Sequence, residues 1–223
     1  TGVTASASPL RIAIFALGGE GGGVLTDWIV TAAEQSGYLV QTTSVPGVAQ
    51  RTGATIYYVE IFPRAVAEAA GRDPVLALMP TPGDVDIVVA SELMEAGRAV
   101  ARGFVTRDRT TLIASTHRVF SIDERTSLGD RRADTEVLFE ACQNAAKRTI
   151  AFDMQAIADE AGSQISAALF GAIAGSGALP FSREAFENAI AAQSGNAHSN
   201  VAAFTAAFIE AAGGSTDSAR PPK

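Results

Sequence analysis

The apolar and polar positions of this chain switch repeatedly between a strand-like and a helix-like spacing, and the switches lay out its elements in turn. Arg11 to Leu17, RIAIFAL, is almost wholly apolar. Such a run suits a strand buried on both faces. Five glycines follow within six positions, Gly18, Gly19, Gly21, Gly22 and Gly23, interrupted by Glu20. Residues 24–33 then recur with helical spacing and stop at Ser36-Gly37, a helix-end signal. Residues 38–44 predict a second strand and 45–53 a glycine-bracketed loop. Ala54 to Phe62 is the strongest strand of the chain, β-branched and aromatic, and Pro63 closes it.

Further along, 64–83 is mixed and carries prolines at 74, 80 and 82. Residues 84–91 predict a buried strand whose acidic start faces water. Residues 92–103 predict a helix with Leu93, Ala96 and Val100 on one face. A strand at 110–115 precedes a charged stretch, 116–132, read as an exposed excursion. A helix over 133–147 is expected to bury Val137, Leu138, Ala141, Cys142 and Ala145, and 148–152 is a last short strand. Helices then dominate, at 153–161, 164–176, 182–193 (with Ser182 as N-cap) and 196–212. Strand and helix in alternation predict an α/β, Rossmann-like fold: a mostly parallel sheet, helices on both faces and a helical C-terminal cap. One domain is expected over 10–212, between flexible tails at 1–9 and 213–223. The Ala-rich stretches 156–178 and 197–212 predict an apolar face that a second molecule covers, so an oligomer or a complex is expected.

Charge and composition narrow the chemistry. A net charge of −7 and 7% aromatic residues argue against a nucleic-acid surface. No apolar run reaches the ~18 residues of a membrane span, and residues 1–9 lack the basic start and apolar core of a signal peptide, so a cytoplasmic location is the default. Cys142 is the single cysteine, and His117 and His198 lie far apart, so no metal-ligand pattern is present.

The glycine loop is the candidate anion site. Strand, glycine loop and helix bring backbone N–H groups and the positive end of a helix dipole to one place, which suits a phosphate. The dinucleotide fingerprint is broken, because Val24 stands where its third glycine belongs, and the second strand ends without the ribose-binding acid. The bland reading is that the glycines let a helix pack closely on the sheet. Cys142 on an apolar stripe reads as structural, His117 as structural or solvent-exposed, and Trp28 as core or interface.

Residues 18–62 carry a resemblance. Gly23-Val24-Leu25, the following strand, and Val48-Ala49-Gln50-Arg51-Thr52-Gly53-Ala54-Thr55 before a β-branched strand resemble the gamma-type module of the 2-oxoacid:ferredoxin oxidoreductases. Within the pyruvate, ketoisovalerate and indolepyruvate enzymes the likeness is greatest to the indolepyruvate ferredoxin oxidoreductase beta subunit. Later segments agree in order: Asp86 to Ala90, Phe152-Asp153, Gly171-Ala172 and 179–190. Glu20 stands where that family has glycine and Gly22 where it has glutamine.

The resemblance implies a part of an enzyme that oxidatively decarboxylates 2-oxoacids, here aryl ones, to acyl-CoA. It implies thiamine diphosphate and [4Fe–4S] clusters in partner subunits or parts, none bound by this chain alone, and CoA as a candidate co-substrate. The chain itself would pack on the thiamine-binding part, with Gln50 and Arg51, together with the glycine loop, facing a ligand anion or a partner. The isolated chain would then be inactive. Two rival readings are a stand-alone nucleotide-binding Rossmann-type oxidoreductase and a ligand-free scaffold or interaction module.

Overall fold

The computed structural model describes residues 8–46, 54–117, 131–193 and 196–213. Six strands form one sheet: β1 (Leu10–Leu17), β2 (Tyr38–Pro46), β3 (Ala54–Pro63), β4 (Ile87–Ala90), β5 (Thr111–Ser115) and β6 (Arg148–Phe152), in the order β2-β3-β1-β4-β5-β6. The helices are α1 (Gly22–Gln35), α2 (Arg64–Ala70), α3 (Leu93–Ala101), α4 (Arg131–Ala145), α5 (Met154–Ala161), α6 (Ile165–Ser176), α7 (Arg183–Gln193) and α8 (Ala197–Ala212). The expected α/β fold is the observed one.

β1, β4, β5 and β6 are parallel neighbours. β3 runs antiparallel to both β1 and β2, so β2 points the same way as β1 without touching it. The hairpin β2–β3 has therefore been inserted beside β1. Its register sets Leu17 against Ala54 and Pro46 against Thr55, at the carboxyl end of β1. The strand expected over 84–91 is shorter. Its acidic start does not simply face water: Asp86 accepts from the Arg11 amide at 2.8 Å and from Arg109 Nε at 2.7 Å, and Asp84 pairs with both arginines.

The pleat divides the core. Ile12, Ile14, Val59, Ile61 and Val89 face α1 and the helices α5 to α8. Ala13, Phe15, Tyr58, Val88 and Leu112 face α3 and α4. The stripe expected on α4 is shifted: Leu138, Phe139, Cys142 and Ala145 pack inward, whereas Val137 and Ala141 are exposed. Burial pushes the Cys142 thiol up to about 11, so it stays protonated and packs as a small apolar group. Asp153 caps α5 through the Ala156 amide and Ser182 caps α7 through the Ala185 amide, at 2.9 and 3.2 Å.

The Ala-rich C-terminal helices cover one another. α6 is apolar all round and buried, and its Phe170 meets Trp28, Phe186 and Phe204 in a cluster of tilted and edge-on rings with centroids 4.9–6.3 Å apart. Most of the apolar face expected there is covered within the chain, although Ile209 on α8 is 63% exposed. A contiguous group of large apolar side chains is left outside in the segment after α2, where Val75, Leu78 and Met79 are 96%, 60% and 59% exposed. No described helix is long and apolar enough to cross a membrane. The expected tails and the 116–132 excursion fall largely outside the described residues.

Candidate functional site

In an open α/β sheet the carboxyl ends of the parallel strands collect the polar groups that the core rejects, and a crevice opens where successive connections leave to opposite faces. Here β1 feeds α1 on one face and β4 feeds α3 on the other, so the crevice lies between β1 and β4. The glycine loop forms one wall. Gly19 and Gly21 have φ of +89° and +69°, a conformation that side chains disfavour, and they turn the chain from β1 into α1. Gly22 has a packing role: a Cβ there would stand 2.6 Å from the Tyr57 ring and 2.7 Å from Ala16 Cβ. Gly18 and Gly19 are exposed, and a Cβ on Gly23 would meet only ordinary contacts. The bland reading thus holds for Gly22, and the turn accounts for Gly19 and Gly21.

Glu20 occupies the crevice itself. Its carboxylate accepts from the Leu17 amide at 3.1 Å and from Ser91 Oγ, at the end of β4. His117, just past β5, sets Nε2 3.8 Å from Glu20 Oε1, within Coulombic reach and too far for a direct hydrogen bond. The other ring nitrogen, Nδ1, shares a proton with Ser115 Oγ at 2.8 Å, and Ser115 Oγ also accepts from the Met154 amide. A Ser115 hydroxyl proton given to Nδ1 leaves Nε2–H directed at the carboxylate. Of the two expected readings, structural or solvent-exposed, the structural one fits: the side chain is 14% exposed, and the fold supplies Glu20 as a partner acid that sequence alone did not identify.

Burial pushes the Glu20 carboxyl up, but the contacts of His117, Ser91 and the Leu17 amide together outweigh it and hold it below the usual carboxylate range. Glu95, buried at the start of α3 beside Arg98, is pushed up by burial. The lowered Glu20 value has a consequence for stability. Its contribution is present above the unfolded value near 4.5 and is lost as pH falls through the folded value. Glu20→Gln is therefore expected to cost about 1–2 kcal/mol at pH 7, with the gap to the parent closing as pH falls below 4.5. Urea unfolding across this pH range checks it, and a gap independent of pH would show that the charge is not what holds the loop.

Gln50 and Arg51 lie outside the described residues. Their flanks, Pro46 and Ala54, sit at the same sheet edge as Leu17 and the glycine loop. Ser91 and Ser115 were not singled out from sequence. The signal that could have found them is position, since each ends or directly follows a strand whose carboxyl end lines the crevice. Among the described residues, no group of three or more His, Cys, Asp or Glu could hold a metal ion.

The sequence matches the family model described as pyruvate ferredoxin/flavodoxin oxidoreductase over residues 11–210. A search of curated proteins finds no match. Several solved structures share the fold, among them the following three. A pyruvate oxidoreductase subunit from Thermotoga maritima is 18% identical with a TM-score of 0.60, over 91% of this chain and 97% of that one. A keto/oxoacid ferredoxin oxidoreductase gamma subunit from Geobacter sulfurreducens is 19% identical with a TM-score of 0.59, over 92% and 99%. The 2-oxoglutarate:ferredoxin oxidoreductase from Magnetococcus marinus, with 2-oxoglutarate, coenzyme A and succinyl-CoA bound, is 15% identical with a TM-score of 0.62. There this chain covers 32% of a longer polypeptide.

Proposed function

The chain belongs to the pyruvate ferredoxin/flavodoxin oxidoreductase family and is part of an oxidoreductase enzyme, and on that premise we propose that it is the gamma-type module of a 2-oxoacid:ferredoxin oxidoreductase, packed on the thiamine-binding part and closing the CoA side of its active site. The observation that carries the reading is the match over residues 11–210, nearly the whole folded region. The bound coenzyme A and succinyl-CoA of the Magnetococcus enzyme support the choice of CoA. An aryl 2-oxoacid such as indolepyruvate is the proposed substrate, on the likeness of residues 18–62 alone.

The redox centres belong to other parts in this reading. A [4Fe–4S] cluster takes four cysteine thiolates. This chain has one cysteine, and its thiol is buried and held protonated. When assembled, thiamine diphosphate supplies the decarboxylation chemistry, and this chain's residues bind and orient. Glu20 puts a negative charge in the crevice. In this reading Arg51, between Pro46 and Ala54 in sequence, offers a planar fork to a CoA phosphate or a partner carboxylate.

Purified with its partners, the enzyme is expected to oxidise the 2-oxoacid with CoA and an electron acceptor, while the chain alone does not. Turnover by the isolated chain would overturn the assignment. In the assembled enzyme Arg51→Ala is expected to raise KM for CoA about tenfold or more, the loss of one desolvated charge-assisted contact of ~1.5–3 kcal/mol, and Arg51→Lys to recover part of it. An unchanged KM and unchanged subunit association would make Arg51 a solvent-facing loop residue.

The exposed Val75, Leu78 and Met79 are the proposed partner-docking patch. The segment is held in place from below: the Ala77 amide donates to Glu60 at 2.7 Å and Thr43 Oγ1 donates to the Leu78 carbonyl at 2.5 Å. Leu78→Asp is expected to weaken co-purification with the partner while leaving the chain's own melting temperature within a degree or so, because the side chain it replaces is exposed.

A further inference from the structure

The sheet has two edges, and they differ. β6 is five residues long and is buried over Ile150, Ala151 and Phe152. β2 is nine residues long, and Thr42 and Ser44 on it are exposed. It pairs with β3 in unbroken register and with no other described strand. Edge strands are commonly kept from further pairing by a lysine or other charge, by a proline, by a bulge or by being short. β2 is long, has no bulge, carries no charged residue and holds its one proline, Pro46, at its last position.

Two prolines fix which backbone groups of β2 turn outward. In an antiparallel ladder, residues that exchange both bonds with the neighbouring strand alternate with residues whose N–H and C=O point away from it. Proline has no N–H, so the pairs Tyr38–Pro63 and Pro46–Thr55 are of the second kind. One step before Tyr38, the Arg64 amide donates to the Gly37 carbonyl at 3.1 Å, as the first kind requires. Leu39, Gln41, Thr43 and Val45 therefore bond to β3. Tyr38, Val40, Thr42 and Ser44 turn their N–H and C=O groups outward, and no described residue takes these up.

An extended backbone completes such an edge, and this one matches its own copy. With a two-fold axis at Gln41, Tyr38 stands opposite the second copy's Ser44 and Val40 opposite its Thr42. Every outward residue then meets an outward residue, so each outward N–H finds a carbonyl. Gln41 faces Gln41, and a carboxamide both donates and accepts. No charge opposes a like charge along the seam, although each chain carries −7.

We infer that β2 is a self-association edge, through which two copies of this chain pair antiparallel over Tyr38–Ser44 and join their six-stranded sheets into one. The inference does not depend on the CoA reading above. The axis is normal to the sheet, so each face of one copy continues into the same face of the other.

Sedimentation equilibrium of the full chain, at tens of micromolar, is expected to give twice the 22.9 kDa of one chain. Thr42→Pro deletes an outward N–H and no β2–β3 bond, and Thr42→Lys sets a charge on the edge. Both variants are expected to sediment as monomers with the parent's circular dichroism spectrum. Gln41→Cys tests the register. Residues opposite each other in a pair that exchanges no bonds have Cα atoms ~4.5 Å apart, within reach of a disulfide. Mild oxidation is expected to cross-link Gln41→Cys into dimers and to leave Thr43→Cys, which faces Leu39, as single chains. Cys142 is buried and held protonated, so it adds no background. A dimer that persists in Thr42→Lys, or equal cross-linking of the two cysteine variants, overturns the inference. A monomeric parent at that concentration also overturns it, and leaves the edge to a strand of a partner subunit.

Discussion

Gly171→Ala is expected to destabilise the chain by about 3 kcal/mol, against a helix-propensity gain of about 1 kcal/mol that the same change brings on an open helix. The reason is the approach of α8. A Cβ on Gly171 would stand 2.2 Å from the Phe204 carbonyl oxygen and 2.9 Å from its Cα, and one on Gly175 would meet the Phe208 carbonyl oxygen at 2.4 Å. Both obstacles are backbone, so relief requires α8 to move as a body, which would loosen the Phe170, Phe186 and Phe204 ring cluster. Gly97→Ala is the control. Its Cβ would meet Leu138 Cδ1 at 2.6 Å, the far end of a half-buried, flexible side chain that can turn away. That variant is expected to lie within about 1 kcal/mol of the parent. Equilibrium urea unfolding by circular dichroism and Trp28 emission measures both. Equal midpoints for the two variants would mean that α6 and α8 do not meet through their backbones.

That contact also shows what periodicity conveys and what it omits. The apolar run of α6 announces a buried helix, and the two glycines four apart announce a close approach, but the approaching partner lies more than thirty residues away in sequence. Strands β1, β3, β4, β5 and β6 were legible because burial on both faces leaves continuous apolar runs. The insertion of β3 between β2 and β1 was not, since strand pairing depends on long-range register that no local spacing encodes. On α4 the error was one of phase. Val137 and Ala141 share a line with each other, but the line that meets the sheet runs through Leu138, Cys142 and Ala145.

The site divides in the same way. The glycine turn at the end of β1 was legible from composition. The fate of Glu20 was not: read alone it is a carboxylate that repels phosphate, and only the fold brings Ser91, 71 positions away, and His117 to it. Asp84 and Asp86 likewise read as a solvated strand start, until the sheet sets them beside Arg11 and Arg109. Charged residues near strand ends take their meaning from neighbours on other strands.

The second large effect is expected at the opposite edge of the sheet, where Glu60→Ala should cost about 3–5 kcal/mol. Glu60 is 1% exposed on a central part of β3 and makes three contacts that water cannot replace. Tyr58 donates its hydroxyl at 2.5 Å, Arg11 its Nε at 3.2 Å and Ala77 its amide at 2.7 Å. Removing the carboxylate leaves a buried hydroxyl without an acceptor and Arg11 with Asp84 as its remaining side-chain partner, at 3.2 Å. Glu60→Gln keeps the shape and one acceptor oxygen, but sets an NH2 where donors converge, so about half of the loss is expected. Alkaline unfolding adds a second readout. Burial first, and then Glu60, push the Tyr58 hydroxyl well above its ordinary value near 10. A raised folded value stabilises below the unfolded one, so this contribution fades as pH climbs beyond about 10. Without Glu60, burial and the charge of Asp84 still raise it against Arg11, and the alkaline loss should be shallower. The Ala77 amide is released at the same time, which frees the segment bearing Val75, Leu78 and Met79. Glu60→Ala should therefore weaken partner association and stability together, whereas Leu78→Asp weakens association alone. If Glu60→Ala unfolded at the parent's urea midpoint, the buried network would be a bystander and the docking segment would be held by Thr43 instead.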